Sequence, residues 1–314
     1  MQERKVPELS LNAYIEGSSN DKARFIDGFY EGLVEYGFVV LKDHPVDDAL
    51  LNKAYSLAEE FFALPVENKA AYSVGRGGQR GYTPFGREHA KGRTIADLKE
   101  FWHIGRDLKK GERYFGEYPA NVWPAETPEF KATFQRMYRE LDRVGHVMLE
   151  ALTGPLDIPH DFFYDMTKDG DSILRVLHYP PVPKELADQG AIRAAPHEDI
   201  NLITILAAAT ASGLELKDRD GRWLAIESDP NSLIVDAGDM LSRLTNDMIP
   251  STTHQVVNPS GESGHRYSMP YFIHPHPRAN LSCLPSCRRN GAKHADILAG
   301  DFLLQRLRDI GLVS

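Results

Sequence analysis

Apolar positions recur at helical spacing in the first half of the chain and at strand spacing in the second half. The stripes in residues 25–34 and 50–62 each predict an amphipathic helix, with a short buried strand at 38–41 between them. A third stripe predicts a long helix that Thr127-Pro128 begins and Gly154-Pro155 ends. Beyond it the period changes to two and turn residues arrive about every ten positions, which favours a sandwich or barrel of short strands.

Capping residues set the predicted ends of the first two helices. Ser19 or Asn20 is placed to cap the first helix, and Gly37 to stop it. Asp47 is placed to cap the second helix, which we expect to end near Pro65. The apolar stripes of both helices are interpreted as core.

Composition narrows the class of protein. The chain has 314 residues and 42% hydrophobic content, enough for a sizeable core. Its net charge of −9 argues against a duplex nucleic acid or an anionic membrane as partner, so a small-molecule substrate is expected. No apolar run approaches about 18 residues and the start is polar, so we expect a cytoplasmic protein. The oligomeric state is not predicted.

A His-x-Asp pair opens a run of β-branched and aliphatic residues at His197. On an extended chain His197 and Asp199 project to the same side and can bind one ion. A second strand-like run, 57 residues later, contains His254. Two neutral imidazoles and one carboxylate form the triad that non-haem Fe(II) oxygenases use, which leaves three coordination positions open.

An Arg-x-Ser pair follows on a further predicted strand. Arg266 and Ser268 share one face of this strand by the same alternation. The planar guanidinium binds a carboxylate through two hydrogen bonds, and the hydroxyl supplies a third. We therefore expect a carboxylated molecule next to the metal.

At these residues the chain resembles the isopenicillin N synthase-like family of Fe(II)/2-oxoglutarate-dependent oxygenases. The family's pattern of His-x-Asp, a distant His and then Arg-x-Ser is present as His197, Asp199, His254, Arg266 and Ser268. The resemblance implies that the first three residues hold Fe(II) and that the last two bind the distal carboxylate of 2-oxoglutarate. It further implies that O2 takes the remaining position on the metal.

The resemblance extends over most of the chain. Residues 36–44 and 61–69 are similar to the family's N-terminal region, and residues 300–307 to its closing helix. It implies a mainly β fold with flanking α-helices, built on a double-stranded β-helix (jelly-roll) core. We expect an N-terminal region at 1–125, packed on a core at 126–314 that includes the long helix, as a single compact unit.

The predicted strand at residues 173–179 contains Arg175, whose partner cannot be identified from the sequence. Alternation puts Arg175, Leu177 and Tyr179 on one face, so Arg175 requires an anion or an acidic neighbour, and an ordinary salt bridge is the alternative. The family resemblance implies that the Tyr179 hydroxyl also holds the distal carboxylate of 2-oxoglutarate. Leu177 stands where the family commonly has Asn, which removes one polar contact to the metal-proximal end of the co-substrate.

Candidate substrate contacts are assigned from the same resemblance. Residues 81–102 are similar to the family's segment that runs over the mouth of the pocket. The predicted strand that contains Arg266 continues to Phe272. The candidates are Arg87, Phe101, His103, Arg175 and Phe272.

Other suggestive residues are interpreted without a function. The glycine-rich stretch 75–82 lacks the Lys-Ser/Thr of a phosphate loop. His274 and His276 are expected to be pocket-rim or surface residues, because further ligands would occupy the open positions on the metal. Cys283 and Cys287 are too few for a zinc site and are expected to be reduced thiols.

The predicted activity is oxidation of a small molecule by an Fe(II)- and 2-oxoglutarate-dependent dioxygenase, with release of succinate and CO2. Hydroxylation, desaturation and ring closure are all compatible with the sequence. A relative of isopenicillin N synthase that uses no 2-oxoglutarate is the first alternative, because that enzyme also keeps Arg-x-Ser. A non-catalytic metal-binding or sensor protein on the same core is the second.

Overall fold

A computed structural model describes residues 4–74, 80–87, 97–207, 209–259, 264–289 and 291–309. Helices dominate the first half of these residues and strands the second half, in agreement with the predicted change of period. The elements are β1 (Glu8–Ser10), α1 (Leu11–Ile15), α2 (Ser19–Tyr36), β2 (Phe38–Lys42), α3 (Asp48–Phe62), α4 (Val66–Ala70), β3 (Gly81–Thr83), β4 (Glu100–Gly105), α5 (Phe130–Ala151), α6 (Phe162–Thr167), β5 (Ile173–Tyr179), α7 (Lys184–Asp188), β6 (Ala194–His197), β7 (Ile203–Ala207), β8 (Leu214–Lys217), β9 (Trp223–Ala225), β10 (Leu233–Ala237), α8 (Asp239–Leu244), β11 (His254–Val256), β12 (Arg266–Ile273), a 3-10 helix (Pro285–Cys287) and α9 (Ala299–Asp309).

Two sheets form the β structure. The larger sheet has the order β1-β2-β10-β7-β12-β5-β4-β3, and the smaller one has the order β6-β11-β8-β9. All neighbours are antiparallel except β1 and β2. Apolar side chains of both sheets, among them Leu177, Leu216 and Val256, form one core between them. The two sheets therefore face each other.

A second core lies between the other face of the larger sheet and the helices. The long helix α5 buries Phe134, Leu141 and Met148 completely in this core. It packs closely on the sheet, since a Cβ at Gly145 would overlap the Ile273 side chain of β12. The larger sheet is thus covered on both faces, which agrees with its almost uniformly buried strands.

Several predicted helix ends are confirmed and others are corrected. Gly37 ends α2 in the left-handed region at φ 68°, and the Asp47 side chain caps α3. The cap of α2 is Ser18, not Ser19 or Asn20, because Ser18 forms a reciprocal capping box with Asp21. Helix α3 ends at Phe62, before Pro65.

The predicted ends of the long helix lie outside the observed ones. Helix α5 starts at Phe130, not at Thr127-Pro128, and no side chain caps it. The Thr127 carbonyl accepts the Phe130 N–H, so these residues form a turn that leads into the helix. The helix ends at Ala151, and residues up to Gly154 continue as hydrogen-bonded turns.

A buried polar network lies on the helix-facing side of the larger sheet. Glu100 accepts hydrogen bonds from Lys69 Nζ (2.8 Å), from the Tyr82 hydroxyl and from His178 Nδ1 (2.7 Å). Burial alone would raise the pKa of Glu100, but the three hydrogen bonds outweigh it and the pKa is lowered. The second ring nitrogen of His178 contacts His265 Nδ1 at 2.8 Å. This network fixes β4 against β5 and α4.

Candidate metal centre and adjoining pocket

A cavity lies between the two sheets and opens to solvent, with about 570 Å³ of empty space that includes part of this opening. Both sheets contribute to its lining, with charged residues among apolar ones. The lining residues are Phe38, Lys99, Arg175, Leu177, Tyr179, Ala194, His197, Asp199, Thr204, Leu206, Leu214, Asp236, His254, Val256, Arg266, Ser268, Pro270 and Phe272.

His197, Asp199 and His254 converge in this cavity. His197 ends β6 and His254 begins β11, and the two are paired across the smaller sheet. Asp199 Oδ1 lies 3.8 Å from His197 Nε2 and 3.9 Å from His254 Nε2. Within the described ranges these side chains form the one group of three or more potential ligands close enough to hold a metal ion.

Backbone contacts fix the tautomer of both imidazoles. His197 Nδ1 lies 2.8 Å from the Ala195 carbonyl, and His254 Nδ1 lies 3.1 Å from the Thr252 carbonyl. A carbonyl only accepts, so each Nδ1 carries the proton and each Nε2 presents its lone pair to the cavity. Burial and the neighbouring His254 lower the pKa of His197 to about 4, so this ring is neutral near pH 7.

Asp199 reaches the site from a loop, which corrects the sequence interpretation. Strand β6 ends at His197 and β7 begins at Ile203, so strand alternation does not aim the carboxylate. The first backbone N–H of α8, from Asp239, donates to the Asp199 carbonyl at 2.7 Å. The Thr204 hydroxyl donates to Asp199 Oδ2, while Oδ1 faces the histidines. The donor set fits a triad of two imidazoles and one carboxylate.

A second carboxyl, which the sequence analysis missed, lies beside the triad. Asp236 of β10 pairs in register with Thr204 of β7, lines the cavity and is 5% exposed. Burial and the charge of Asp199 raise the pKa of Asp236 well above its usual value. The sequence does contain a sign of this residue, because Asp236 is the one acidic residue in a five-residue strand whose other members are apolar.

Arg266 and Ser268 share the cavity face of β12, as alternation predicts. Arg266 Nε donates to the Ala211 carbonyl at 3.0 Å, so the edge formed by the two Nη atoms faces the cavity. Nη1 also lies 3.3 Å from Ser268 Oγ. The guanidinium carbon is 4.9 Å from the centre of the Tyr179 ring, a cation–π contact. Arg266 forms no ion pair with a carboxylate of the described residues.

Arg193 is a second buried guanidinium near this end of the cavity, and the sequence analysis did not identify it. It is 2% exposed and donates from Nη2 to the Gly264 carbonyl at 2.7 Å. Burial and the positive charge of Arg266 lower the pKa of Arg193. Two adjacent cations make this end of the cavity favourable for an anion.

Arg175 lies on the cavity face of β5 with Leu177 and Tyr179, which confirms the predicted alternation. Its Nε donates to His103 Nε2 at 2.5 Å. Its guanidinium carbon lies 4.4 Å from the centre of the Phe101 ring and 5.2 Å from that of Phe272. From the sequence we expected an anion or an acidic neighbour for Arg175; its contacts in the structure include an imidazole and two aromatic rings.

The other candidate contacts occupy different positions. Phe272 lines the cavity, whereas Phe101 is not among the lining residues and contacts Arg175 from the neighbouring strand β4. Arg87 is exposed and is not among the lining residues. Lys99 lines the cavity, pairs with Asp97 at 2.9 Å and was not predicted.

The remaining residues behave as bystanders or are not described. His274 Nδ1 contacts the Phe272 carbonyl, and His276 contacts the Tyr114 hydroxyl. Both cysteines are free thiols. Most of the glycine-rich stretch, 75–79, and residues 88–96 of the segment expected over the pocket mouth lie outside the described residues. None of the helices described here is long and apolar enough to cross a membrane.

Family models match two stretches of the chain. Residues 6–126 match the N-terminal region of non-haem dioxygenases in morphine synthesis. Residues 170–275, which contain the triad, Arg266 and Ser268, match the 2OG-Fe(II) oxygenase superfamily. The two matches together span most of the sequence.

Individual proteins are similar over nearly their full lengths. A 2-oxoglutarate-Fe(II) type oxidoreductase, hxnY of Emericella nidulans, is 30% identical, with 91% of this chain and 84% of that protein covered. A crystal structure described as a 2OG-Fe(II) oxygenase family protein from Caulobacter crescentus is 44% identical, with a TM-score of 0.87 and coverage of 96% and 98%. A full-length Neurospora crassa protein, solved in complex with alpha-KG and thymine, is 29% identical, with a TM-score of 0.86 and coverage of 96% of each chain. These likenesses confirm the double-stranded β-helix.

Proposed function

Because the chain belongs to the isopenicillin N synthase-like family of 2-oxoglutarate–Fe(II) oxygenases, we propose that His197, Asp199 and His254 hold its iron. The enzyme is a non-haem, Fe(II)- and 2-oxoglutarate-dependent oxygenase that acts on a small molecule. When bound, iron and 2-oxoglutarate activate O2 for oxidation of the substrate. The observation that carries the ligand assignment is the convergence of two Nε2 lone pairs and one carboxylate oxygen in the cavity.

The distal carboxylate of 2-oxoglutarate is assigned to Arg266 and Ser268. Arg266 presents both Nη atoms to the cavity, which suits a bidentate pair with a carboxylate. Ser268 accepts from Arg266 Nη1, so its own hydroxyl proton is available to the ligand. Tyr179 lies against the guanidinium, orients it and lines the same cavity, and its hydroxyl makes no hydrogen bond to a described residue.

The substrate is assigned to the part of the cavity lined by Arg175 and Phe272. Arg175 is four residues from Tyr179 on β5, about 13 Å along an extended strand, so it is well separated from the co-substrate anchor. Its guanidinium, oriented by His103 and Phe101, suits an acceptor group such as a carboxylate or a carbonyl. Contacts of Phe101 or Arg87 with the substrate, and the cytoplasmic location, stay predictions.

The cavity has a second role besides positioning. Apolar residues of both sheets, Phe38, Leu214 and Val256, are themselves buried and line it together with the triad. An apolar lining lowers the local dielectric constant and so strengthens the electrostatic contacts of Arg266. The chain therefore contributes binding, orientation and an apolar lining, while the cofactors supply the oxidation chemistry.

The test replaces one ligand at a time and measures metal binding and turnover separately. His197→Ala, Asp199→Ala and His254→Ala should each lose Fe(II) affinity and oxygen-dependent release of succinate from 2-oxoglutarate. Arg143→Ala, on the exposed face of α5, is a control outside the cavity and should retain both. Wild-type iron affinity in Asp199→Ala would refute the ligand assignment. A screen of small acids, amino acids and aromatic metabolites for stimulation of succinate release would then identify the substrate class.

A further inference from the structure

Asp199 can bind a metal through one oxygen or through two, and the difference matters for catalysis. A second Asp199 oxygen on the metal would occupy one of the three positions that 2-oxoglutarate and O2 require. The loop position of Asp199 does not by itself prevent this, because strand geometry does not restrict the side chain. Another residue is needed to hold the second oxygen.

Thr204 contacts that second oxygen directly. Its Oγ1 donates to Asp199 Oδ2, while Oδ1 faces His197 and His254. Thr204 is 2% exposed and lies on β7, where strands β10 and β12 flank it on both sides. Its position is therefore fixed by the larger sheet.

Asn201 determines the direction of the Thr204 hydroxyl. Asn201 Nδ2 donates to Thr204 Oγ1 at 3.0 Å and to the Ile203 carbonyl at 3.1 Å. The reversed amide would place two acceptors, Asn201 Oδ1 and the Ile203 carbonyl, against each other. Nδ2 therefore donates to Thr204, and the single hydroxyl proton of Thr204 is left for Asp199.

The geometry points to Thr204, oriented by Asn201, as a positioning residue that keeps Asp199 a one-oxygen ligand of the iron. The inference rests on the proposed assignment of Asp199 as a ligand. Gly238 leaves the space that Asn201 needs in this arrangement, because a Cβ there would overlap the carbonyl oxygen and Oδ1 of Asn201. By holding one carboxylate oxygen, the hydroxyl keeps three adjacent coordination positions available.

The test compares Thr204→Val, which has the same shape without the hydroxyl, with Thr204→Ser, which keeps it. Calorimetry measures the affinity of the metal-free full chain for Mn(II) and the affinity of the Mn(II)-loaded chain for 2-oxoglutarate, and visible absorption measures the anaerobic complex with Fe(II) and 2-oxoglutarate. Thr204→Val should keep or increase its affinity for Mn(II), because Asp199 can then use both oxygens. It should lose about 10- to 100-fold in affinity for 2-oxoglutarate, the range typical for partners of metal ligands, and should shift the absorption band. Thr204→Ser should restore both.

Controls separate the possible failures. A wild-type affinity for 2-oxoglutarate and an unchanged absorption band in Thr204→Val would overturn the inference. If Asp199→Ala loses the metal while Thr204→Val binds 2-oxoglutarate as the wild type does, only the role of Thr204 is wrong. If Asp199→Ala binds the metal normally, the ligand assignment itself is wrong. Should Thr204→Val not fold, Thr204→Ala and Thr204→Ser provide the comparison, because alanine and serine differ only in the hydroxyl.

Discussion

Replacing Arg266 tests the co-substrate anchor most directly. The side chain is 1% exposed, and its Nε is already bonded to the Ala211 carbonyl, so only the two Nη atoms serve a ligand. Each charge-assisted hydrogen bond contributes about 1.5–3 kcal/mol. Removing two of them in Arg266→Ala should cost at least about 3 kcal/mol, which is a rise of roughly 100-fold or more in the KM for 2-oxoglutarate, at about tenfold per 1.4 kcal/mol.

Arg266→Lys separates the charge from the geometry. Lysine keeps the positive charge and one hydrogen bond but loses the paired Nη edge. A loss of about 1.5 kcal/mol is expected, which raises the KM about tenfold. The assay is the initial rate of succinate formation at varied 2-oxoglutarate, supported by calorimetry with the Mn(II)-loaded enzyme. Iron affinity without 2-oxoglutarate should not change in either variant.

Arg193→Lys is the matched control. Arg193 is equally buried and lies beside Arg266, but it does not line the cavity. Its variant keeps the local charge, so the KM for 2-oxoglutarate should stay close to the wild-type value. A wild-type dissociation constant for 2-oxoglutarate in Arg266→Ala would refute the anchor. Equal values for Arg266→Lys and the wild type would refute the paired hydrogen bonds.

Three further substitutions test other parts of the structure. Because the pKa of Asp236 is raised, the folded metal-free chain binds more protons than the unfolded chain above about pH 4, and this group lowers the stability as the pH rises. Asp236→Asn should therefore raise the Tm more at pH 8 than at pH 5. Equal increases in Tm at the two pH values would contradict this. Lys69→Met breaks the buried ion pair with Glu100 and should lower the free energy of unfolding, measured in urea, by about 3–5 kcal/mol. A loss below about 1 kcal/mol would show that the hydrogen bonds from Tyr82 and His178 are enough to stabilise the Glu100 carboxylate. Gly238→Ala displaces Asn201, so it should cost about 1–3 kcal/mol and also weaken the binding of 2-oxoglutarate to the Mn(II)-loaded chain. Gly145→Ala, which overpacks α5 against β12, should cost stability only. Equal affinities for 2-oxoglutarate in the two variants would contradict this.

The sequence predicted those site residues whose geometry is local. Arg266 with Ser268, and Arg175 with Leu177 and Tyr179, line the cavity because residues two apart on a strand project to one face. The amphipathic helices followed equally directly from their apolar stripes. In each case the spacing of residues within one segment was enough to predict which side chains share a face.

Residues that act through partners distant in sequence could not be predicted in this way. Asp236 lies beside Thr204 only through the register of β10 with β7, and His103 reaches Arg175 only through the register of β4 with β5. The loop position of Asp199 depends on a hydrogen bond from Asp239 at the start of α8, far along the chain. Periodicity within one segment contains no information on such pairings.

The distribution of the site over the two sheets has a thermodynamic consequence. Both histidines belong to the smaller sheet, whereas Arg266, Ser268 and Tyr179 belong to the larger one. A dicarboxylate bound at both ends bridges the sheets, so each ligand favours the sheet separation that the other needs. Metal and co-substrate should therefore bind cooperatively, and together they should slow hydrogen exchange in β6 and β11 more than the sum of their separate effects. Iron loading would in this way control how strongly the enzyme retains its co-substrate.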